Sequence, residues 1–192
     1  AINVCLFGGS MRKSHQSVRW GSSRFVSKTV SKTIRNFVVT VSALVLASTA
    51  VLAQPFPTGP DSQVTPGETC DRPNAYRYPE QIAYCNRNVD SGLKRDIIVQ
   101  YDKQLGYQVS QMPRNDFKID HYIPLCMGGG NDRKNLWPQH KSVYEITDPL
   151  EQEMCIKMSE GVLKQARAID LMRRAKNNLK EVDSIRKEIN AL

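Results

Sequence analysis

The first 53 residues contain no Asp or Glu, although they carry seven of the 27 Lys and Arg residues of the chain. The rest of the chain therefore has 20 basic against 19 acidic side chains, a net charge close to zero. Because the excess positive charge belongs to the N-terminal segment, the total of +8 is no evidence that the remainder binds nucleic acid.

The chain also lacks a long, purely apolar run. Residues 37–54 are uncharged, but at 18 residues they are near the lower limit for crossing a bilayer, and Ser and Thr interrupt them. Basic residues precede this stretch and Val51-Leu52-Ala53 closes it, an order typical of a signal peptide. We expect residues 1–53 to target the chain for export to the periplasm or the exterior, with a hydrophobic region at about 37–52. An uncleaved anchor is the alternative, whereas cleavage would leave no stable membrane association.

No C-x₂-C pair occurs, which argues against a structural zinc site. Four cysteines follow residue 53, and four cysteines can pair in three ways in an oxidising compartment. We favour the pairing that is local in sequence, with zinc binding as the alternative. The predicted disulfides are Cys70–Cys85 and Cys126–Cys155.

Histidine is scarce, since only His121 and His140 follow residue 53. Residues 117–125 alternate apolar and polar side chains, which predicts a short strand. Gly128-Gly129-Gly130 begins a tight loop, and Asn135-Leu136-Trp137-Pro138 starts a return segment before His140. The pattern predicts the order strand, loop, strand, helix.

Over about 25 residues this window resembles the HNH (ββα-metal) nuclease family. The resemblance rests on Asp120-His121, Gly128-Gly129, Asn131-Asp132 and the segment from Asn135 to Pro138, which occur together at fixed offsets. It implies an α+β fold, in which a ββα-metal hairpin and helix pack among additional helices and disulfides cross-link the domain. It also implies a metal-dependent endonuclease.

The resemblance assigns His121 as the general base, Asp120 as a metal ligand and Asn135 as the residue that orients the base. An imidazole titrates near neutrality, and a carboxylate suits Mg²⁺ or Mn²⁺, with Zn²⁺ or Ni²⁺ as alternatives. The family's last ligand has no match at its usual spacing, so we expect His140 to serve, with Glu145 as the alternative. Successive strand residues face opposite ways, so Asp120 and His121 can share one site only at the strand's twisted end.

The remaining segments frame this window. Residues 54–68 are rich in Pro and Gly and predict an extended leader, residues 69–180 the nuclease domain, and residues 181–192 a charged helix or tail. A helix is expected around residues 93–101, closed by Gly106. Another is expected to start at Thr147-Asp148-Pro149, with a capping side chain, and to end at Gly161.

Two interpretations of the function remain open. As an endonuclease, a monomer would cut DNA, or RNA, through backbone contacts and with little sequence preference. As a binding module, the same motif would be a metal-stabilised scaffold without catalysis. Asn131 is expected to be a turn former. One basic stretch could contact phosphates or simply be a solvated helix face; it contains Lys164, Arg167, Arg173, Arg174, Lys176 and Lys180.

Overall fold

The computed structural model describes residues 54–192; the predicted targeting segment, residues 1–53, lies outside the described residues. Helices and short strands are mixed, which confirms the predicted α+β class. Among residues 54–192, no helix is both long and apolar enough to cross a membrane. The elements in chain order are β1 (Ala75–Arg77), β2 (Ile82–Tyr84), α1 (Ser91–Leu105), β3 (Phe117–His121), β4 (Leu136–His140), α2 (Lys141–Ser159), α3 (Gln165–Asn177) and α4 (Val182–Asn190).

Two antiparallel hairpins provide the strands, β1 with β2 and β3 with β4. In the second hairpin, Phe117 lies opposite His140 and His121 lies opposite Leu136. Phe117, Ile119 and His121 are buried, while the residues between them are partly exposed. The alternation in the sequence therefore predicted this strand but not its end: the strand was expected to reach Leu125, whereas β3 stops at His121 and the alternation of burial stops with it, since Tyr122, Ile123 and Pro124 are all buried.

Helix α1 forms where the sequence predicts a helix. The Asp90 side chain accepts a hydrogen bond from the Leu93 N–H and caps the first turn, and Gly106 ends the helix with φ = 77°. Ile97 and Tyr101 are fully buried and pack with Trp137 of β4.

The segment 54–68 contains no helix or strand, but part of it packs against the domain. Thr65 is fully buried, and its Oγ1 lies 2.7 Å from the Tyr101 hydroxyl and donates to the Leu136 carbonyl at 3.1 Å. A buried hydroxyl needs such partners. Residues 54–68, predicted to be an extended leader, are thus hydrogen-bonded to α1 and β4 through Thr65.

Helix α2 begins at Lys141, eight residues before Pro149, so the helix start predicted at residues 147–149 is wrong. Pro149 lies inside the helix, although it has no N–H to donate to the preceding turn. The apolar stripe of Val143, Leu150, Met154 and Met158 is buried, and we infer that this burial outweighs the lost hydrogen bond. Asp148 is therefore a mid-helix residue rather than a cap.

Helices α3 and α4 pack on α2 and form a second apolar cluster with Met127 and Ile123. Gly161, with φ = 78°, separates α2 from α3, as the sequence predicts. The C-terminal segment is a helix rather than a tail, because Val182, Ile185 and Ile189 are buried in this cluster.

Both predicted disulfides are confirmed. Cys70 bonds to Cys85, and Cys126 bonds to Cys155. The second bridge joins the turn after β3 to α2. Two disulfides are typical of proteins that mature in an oxidising compartment outside the cytosol.

Candidate metal and catalytic site

Asp120 and His121 line the same groove, at the end of β3. The groove is a cavity of about 460 Å³, and Asp148 and Glu151 of α2 contribute to its wall. Asp120 and His121 therefore reach the same groove from the end of the strand, although they are successive residues, whose side chains face opposite ways in a regular strand.

The His121 ring is held at both nitrogens. Nε2 lies 3.0 Å from the Asn131 Oδ1, and Nδ1 lies 3.2 Å from a terminal nitrogen of Arg87. Because a guanidinium only donates, Nδ1 must accept, and the ring proton therefore resides on Nε2 and is donated to Asn131. The neutral ring thus has one tautomer, with its lone pair on Nδ1.

Asn131 can orient the ring because its own amide is fixed. Its Nδ2 donates to the Asn86 carbonyl at 2.8 Å, and its Oδ1 also accepts from the Asn88 N–H at 3.2 Å. The oxygen is therefore the atom that faces His121. This corrects the expectation that Asn131 is only a turn former.

Asn135 has a different task from the one that the resemblance assigns to it. Its side chain is fully buried; Oδ1 accepts from the Ile123 N–H at 2.8 Å, and Nδ2 donates to the Ile123 and Gly130 carbonyls at 2.9 Å. Among the described residues, its side-chain hydrogen bonds go to the main chain of Ile123 and Gly130, in the loop that follows β3, rather than to the His121 ring. A side chain at Gly129 would collide with the Ile123 carbonyl, which explains a glycine there.

The pKa of His121 is lowered to about 4, mainly by burial and with a contribution from the Arg87 charge, while the hydrogen bond to Asn131 works in the opposite direction. The side chain is only 3% exposed. The imidazole is therefore neutral at physiological pH, which is the form a base requires.

Three carboxylates converge beside the ring. Asp120, Asp148 and Glu151 each offer an oxygen atom, and these atoms lie within 4.8 Å of one another. Asp148 and Glu151 are three residues apart on α2, so they share a helix face. A cluster of carboxylate oxygens suits a hard divalent cation such as Mg²⁺ or Mn²⁺, and the donor set therefore fits the metal that the resemblance implies.

Two lysines contact the same carboxylates. The Lys176 ammonium lies 3.4 Å from both Asp120 and Glu151, and the Lys118 ammonium lies 2.7 Å from Asp148. Burial alone would raise the pKa of Asp120, but the two ammonium groups outweigh it and the pKa is lowered. At Glu151 burial prevails over the Lys176 charge, and the pKa is raised.

The structure does not bring His140 to this site. Three residue positions along the ladder separate its partner Phe117 from Asp120, roughly 10 Å. The His140 ring stacks on Phe56 at 3.7 Å, and its Nδ1 accepts from the Ser142 N–H at the start of α2. Glu145 is exposed on α2. The carboxylates that lie beside Asp120 are those of Asp148 and Glu151, and not that of Glu145.

The predicted phosphate-binding stretch is largely engaged within the fold. Arg167 pairs with Asp170 and Glu188, and Arg174 pairs with Glu181. Arg173 donates to the carbonyls of Pro66 and Gly67. Lys164 is exposed at the start of α3.

The cations that line the groove come from other parts of the chain: Arg77, Arg87 and Lys118. Arg77 lies over the Tyr84 ring, with its guanidinium carbon 3.2 Å from the ring centroid. These three residues are spread over 42 positions and belong to no basic run, so the sequence offered no signal for them. No family model, curated protein or solved structure matches the chain.

Proposed function

We propose that this protein is a metal-dependent endonuclease of the HNH type that hydrolyses phosphodiester bonds in DNA. One observation carries the proposal: a neutral imidazole with a fixed tautomer lines a groove beside three clustered carboxylates. The arrangement of a β-hairpin followed by a helix, with Asp120-His121 at the end of the first strand, is also the one that the family resemblance implies.

In this mechanism the attacking water replaces Arg87 at Nδ1 of His121, and Nδ1 then accepts a proton from the water. Asn131 holds the Nε2 proton and also accepts from the imidazolium that forms, so the ring keeps its orientation through proton transfer. Arg87, which lies 3.2 Å from Nδ1 without substrate, would then contact the phosphate beside the water. A positioned base of this kind typically contributes 10²–10⁴-fold in rate.

Asp120, Asp148 and Glu151 would hold the metal ion, Mg²⁺ or Mn²⁺. When bound, the metal supplies positive charge to the phosphate and to the leaving oxygen. The Lys118 side chain is 36% exposed at the rim of the groove, so its ammonium is available to a phosphate as well as to Asp148. With Asp148 bound to a metal, the Lys118 ammonium would be free to contact a substrate phosphate.

The charged side chains of the groove favour binding to the phosphate backbone of the substrate, with little dependence on the base sequence. Its cations are Arg77, Arg87 and Lys118, and such groups bind phosphates whatever the base sequence. We propose that the protein acts as a monomer outside the cytosol, in the periplasm or the exterior. The disulfides are compatible with that location.

A non-catalytic binding module is the second candidate. It is favoured by the two lysines, since Lys118 and Lys176 already neutralise part of the carboxylate cluster without a metal. Under this hypothesis the cluster is a structural ion-pair network, and the groove cations bind nucleic acid without cutting it.

A plasmid assay with the full chain separates the candidates. Supercoiled DNA, and a structured RNA in parallel, are incubated with Mg²⁺, Mn²⁺, Zn²⁺ or Ni²⁺ and with EDTA. We expect conversion to nicked and linear DNA that EDTA prevents. Retarded migration of intact DNA with every metal would instead support the binding module.

A further inference from the structure

Lys176 is the one lysine that is completely buried among residues 54–192. Its ammonium donates to the His121 carbonyl at 2.6 Å and lies 3.4 Å from the carboxylates of Asp120 and Glu151. Burying an ammonium is costly unless it is paired and hydrogen-bonded, and here three oxygen atoms surround it. Helix α3 thus inserts a positive charge between β3 and α2, directly behind the candidate metal site.

Lys118 provides the contrast. It also contacts this cluster, at 2.7 Å from Asp148 and 3.7 Å from Asp120, but its side chain is about a third exposed at the groove. The Lys118 ammonium can leave through solvent. The Lys176 ammonium cannot leave in this way, because its side chain is enclosed between packed elements and α3 is held by the buried residues Leu171, Met172 and Ala175.

The charge of the cluster then determines how many metal ions it can hold. Asp120, Asp148 and Glu151 carry up to three negative charges when ionised, and the Lys176 ammonium neutralises one of them permanently. The two negative charges that remain equal the charge of a single divalent ion. A second ion would have to share Asp120 and Glu151 with an ammonium 3.4 Å from each, and like charges at such separations repel strongly in a partly buried site.

We propose that Lys176 is a built-in cation that occupies the place of a second divalent metal ion and so limits the cluster to one. This inference rests on the proposed function. Lys176 acts through Asp120, Glu151 and the His121 carbonyl, and is therefore a positioning residue rather than a catalytic one.

The test is the stoichiometry of Mn²⁺ binding to the full chain, measured by titration calorimetry with Lys176→Met and the matched control Lys118→Met. We expect one Mn²⁺ per chain in the parent, two in Lys176→Met and one in Lys118→Met. Lys176→Arg, which keeps the charge, is expected to bind one. A stoichiometry of one in a folded Lys176→Met overturns the proposal.

If Lys176→Met does not fold, Lys176→Gln provides the same test. Its amide can still donate to the oxygens around it, but it carries no charge. Two Mn²⁺ ions in this variant support the proposal, and one ion overturns it. A parent that binds no Mn²⁺ contradicts the proposed function itself. A parent that binds one ion and cuts plasmid, beside neutral variants that also bind only one, contradicts this inference alone.

Discussion

The two ends of the β3–β4 hairpin each carry a histidine, and the two histidines have different surroundings. At the loop end, His121 is buried, held at both nitrogens and adjacent to three carboxylates. At the open end, His140 stacks on Phe56 and accepts a hydrogen bond from the Ser142 N–H. Four ladder positions separate them in the same sheet.

The comparison shows that residue type alone does not make a site. At the loop end, hydrogen-bond partners fix one tautomer of the ring, and α2 and α3 contribute charged side chains. The open end has a helix start, where a side-chain acceptor is useful to the free N–H groups. The following predictions test this difference, from the largest expected effect to the smallest.

Replacing the two histidines separately gives the largest contrast. We expect His121→Ala to lower the rate of plasmid nicking by about 10²–10⁴-fold, since it removes the base, and His140→Ala to leave the rate within about twofold. Both rates are measured at saturating Mg²⁺, and circular dichroism checks that each variant is folded. Equal losses in the two variants would refute the distinction between the two ends.

The free energy of unfolding is expected to depend on pH through His121. Its pKa is 6.5 when unperturbed and about 4 in the folded chain, so between these values the unfolded state binds a proton that the folded state does not. The stability contributed by the neutral ring is complete above pH 6.5. It decreases by up to about 3 kcal/mol as the pH falls to about 4.

Urea denaturation across pH 4–7 measures this dependence. Burial lowers the pKa of both histidines, but that of His121 by much more, so His121→Asn should reduce the slope between pH 6.5 and 4 more than His140→Asn does. A slope that persists in His121→Asn would assign the pH dependence to other groups and contradict the buried, neutral imidazole.

Asp148 and Glu145 are both carboxylates on α2, but only Asp148 belongs to the carboxylate cluster. Asp148→Asn should weaken Mn²⁺ binding by at least about 10-fold, because a charged ligand is replaced by a neutral one. Glu145→Gln, on an exposed part of the same helix, should change the affinity by less than about threefold. Calorimetric titration gives both constants, and the reverse ranking would restore the ligand expected from sequence.

We expect Asn131 to affect the orientation of the His121 ring, and Asn135 to affect the stability of the fold. Asn131→Ala should lower kcat by about tenfold with little effect on KM, because the ring loses the acceptor that fixes its tautomer. Asn131→Asp keeps an acceptor and should recover much of the loss. Asn135→Ala instead should cost about 2–3 kcal/mol of stability, since it leaves buried main-chain groups unpaired. An Asn131→Ala enzyme with the parent's kcat would contradict the orienting role.

The sequence predicted much of the fold because several signals were local. Alternation at residues 117–125 predicted β3, although the strand ends at His121. Gly106 ends α1 as expected, and an even number of cysteines predicted two local disulfides. The Pro149 signal failed, because burial of an apolar stripe in α2 prevailed over a local helix-start pattern.

The site was harder to predict because its members meet only in three dimensions. Asp148 looked like a helix cap, Lys176 like part of a solvated face, and Asn131 like a turn residue. Each became a site candidate only when β3, α2 and α3 were packed together. His140 was expected as a further ligand although it does not lie at the family's usual spacing, and the antiparallel register carries it away from Asp120.

The most direct test of the central claim is an anomalous diffraction measurement on crystals of the full chain soaked in Mn²⁺. We predict a single Mn²⁺ peak in inner-sphere contact with oxygens of Asp120, Asp148 and Glu151, beside the His121 ring. A peak at His140, or no peak among the three carboxylates at Mn²⁺ concentrations that support DNA cleavage, would contradict the account.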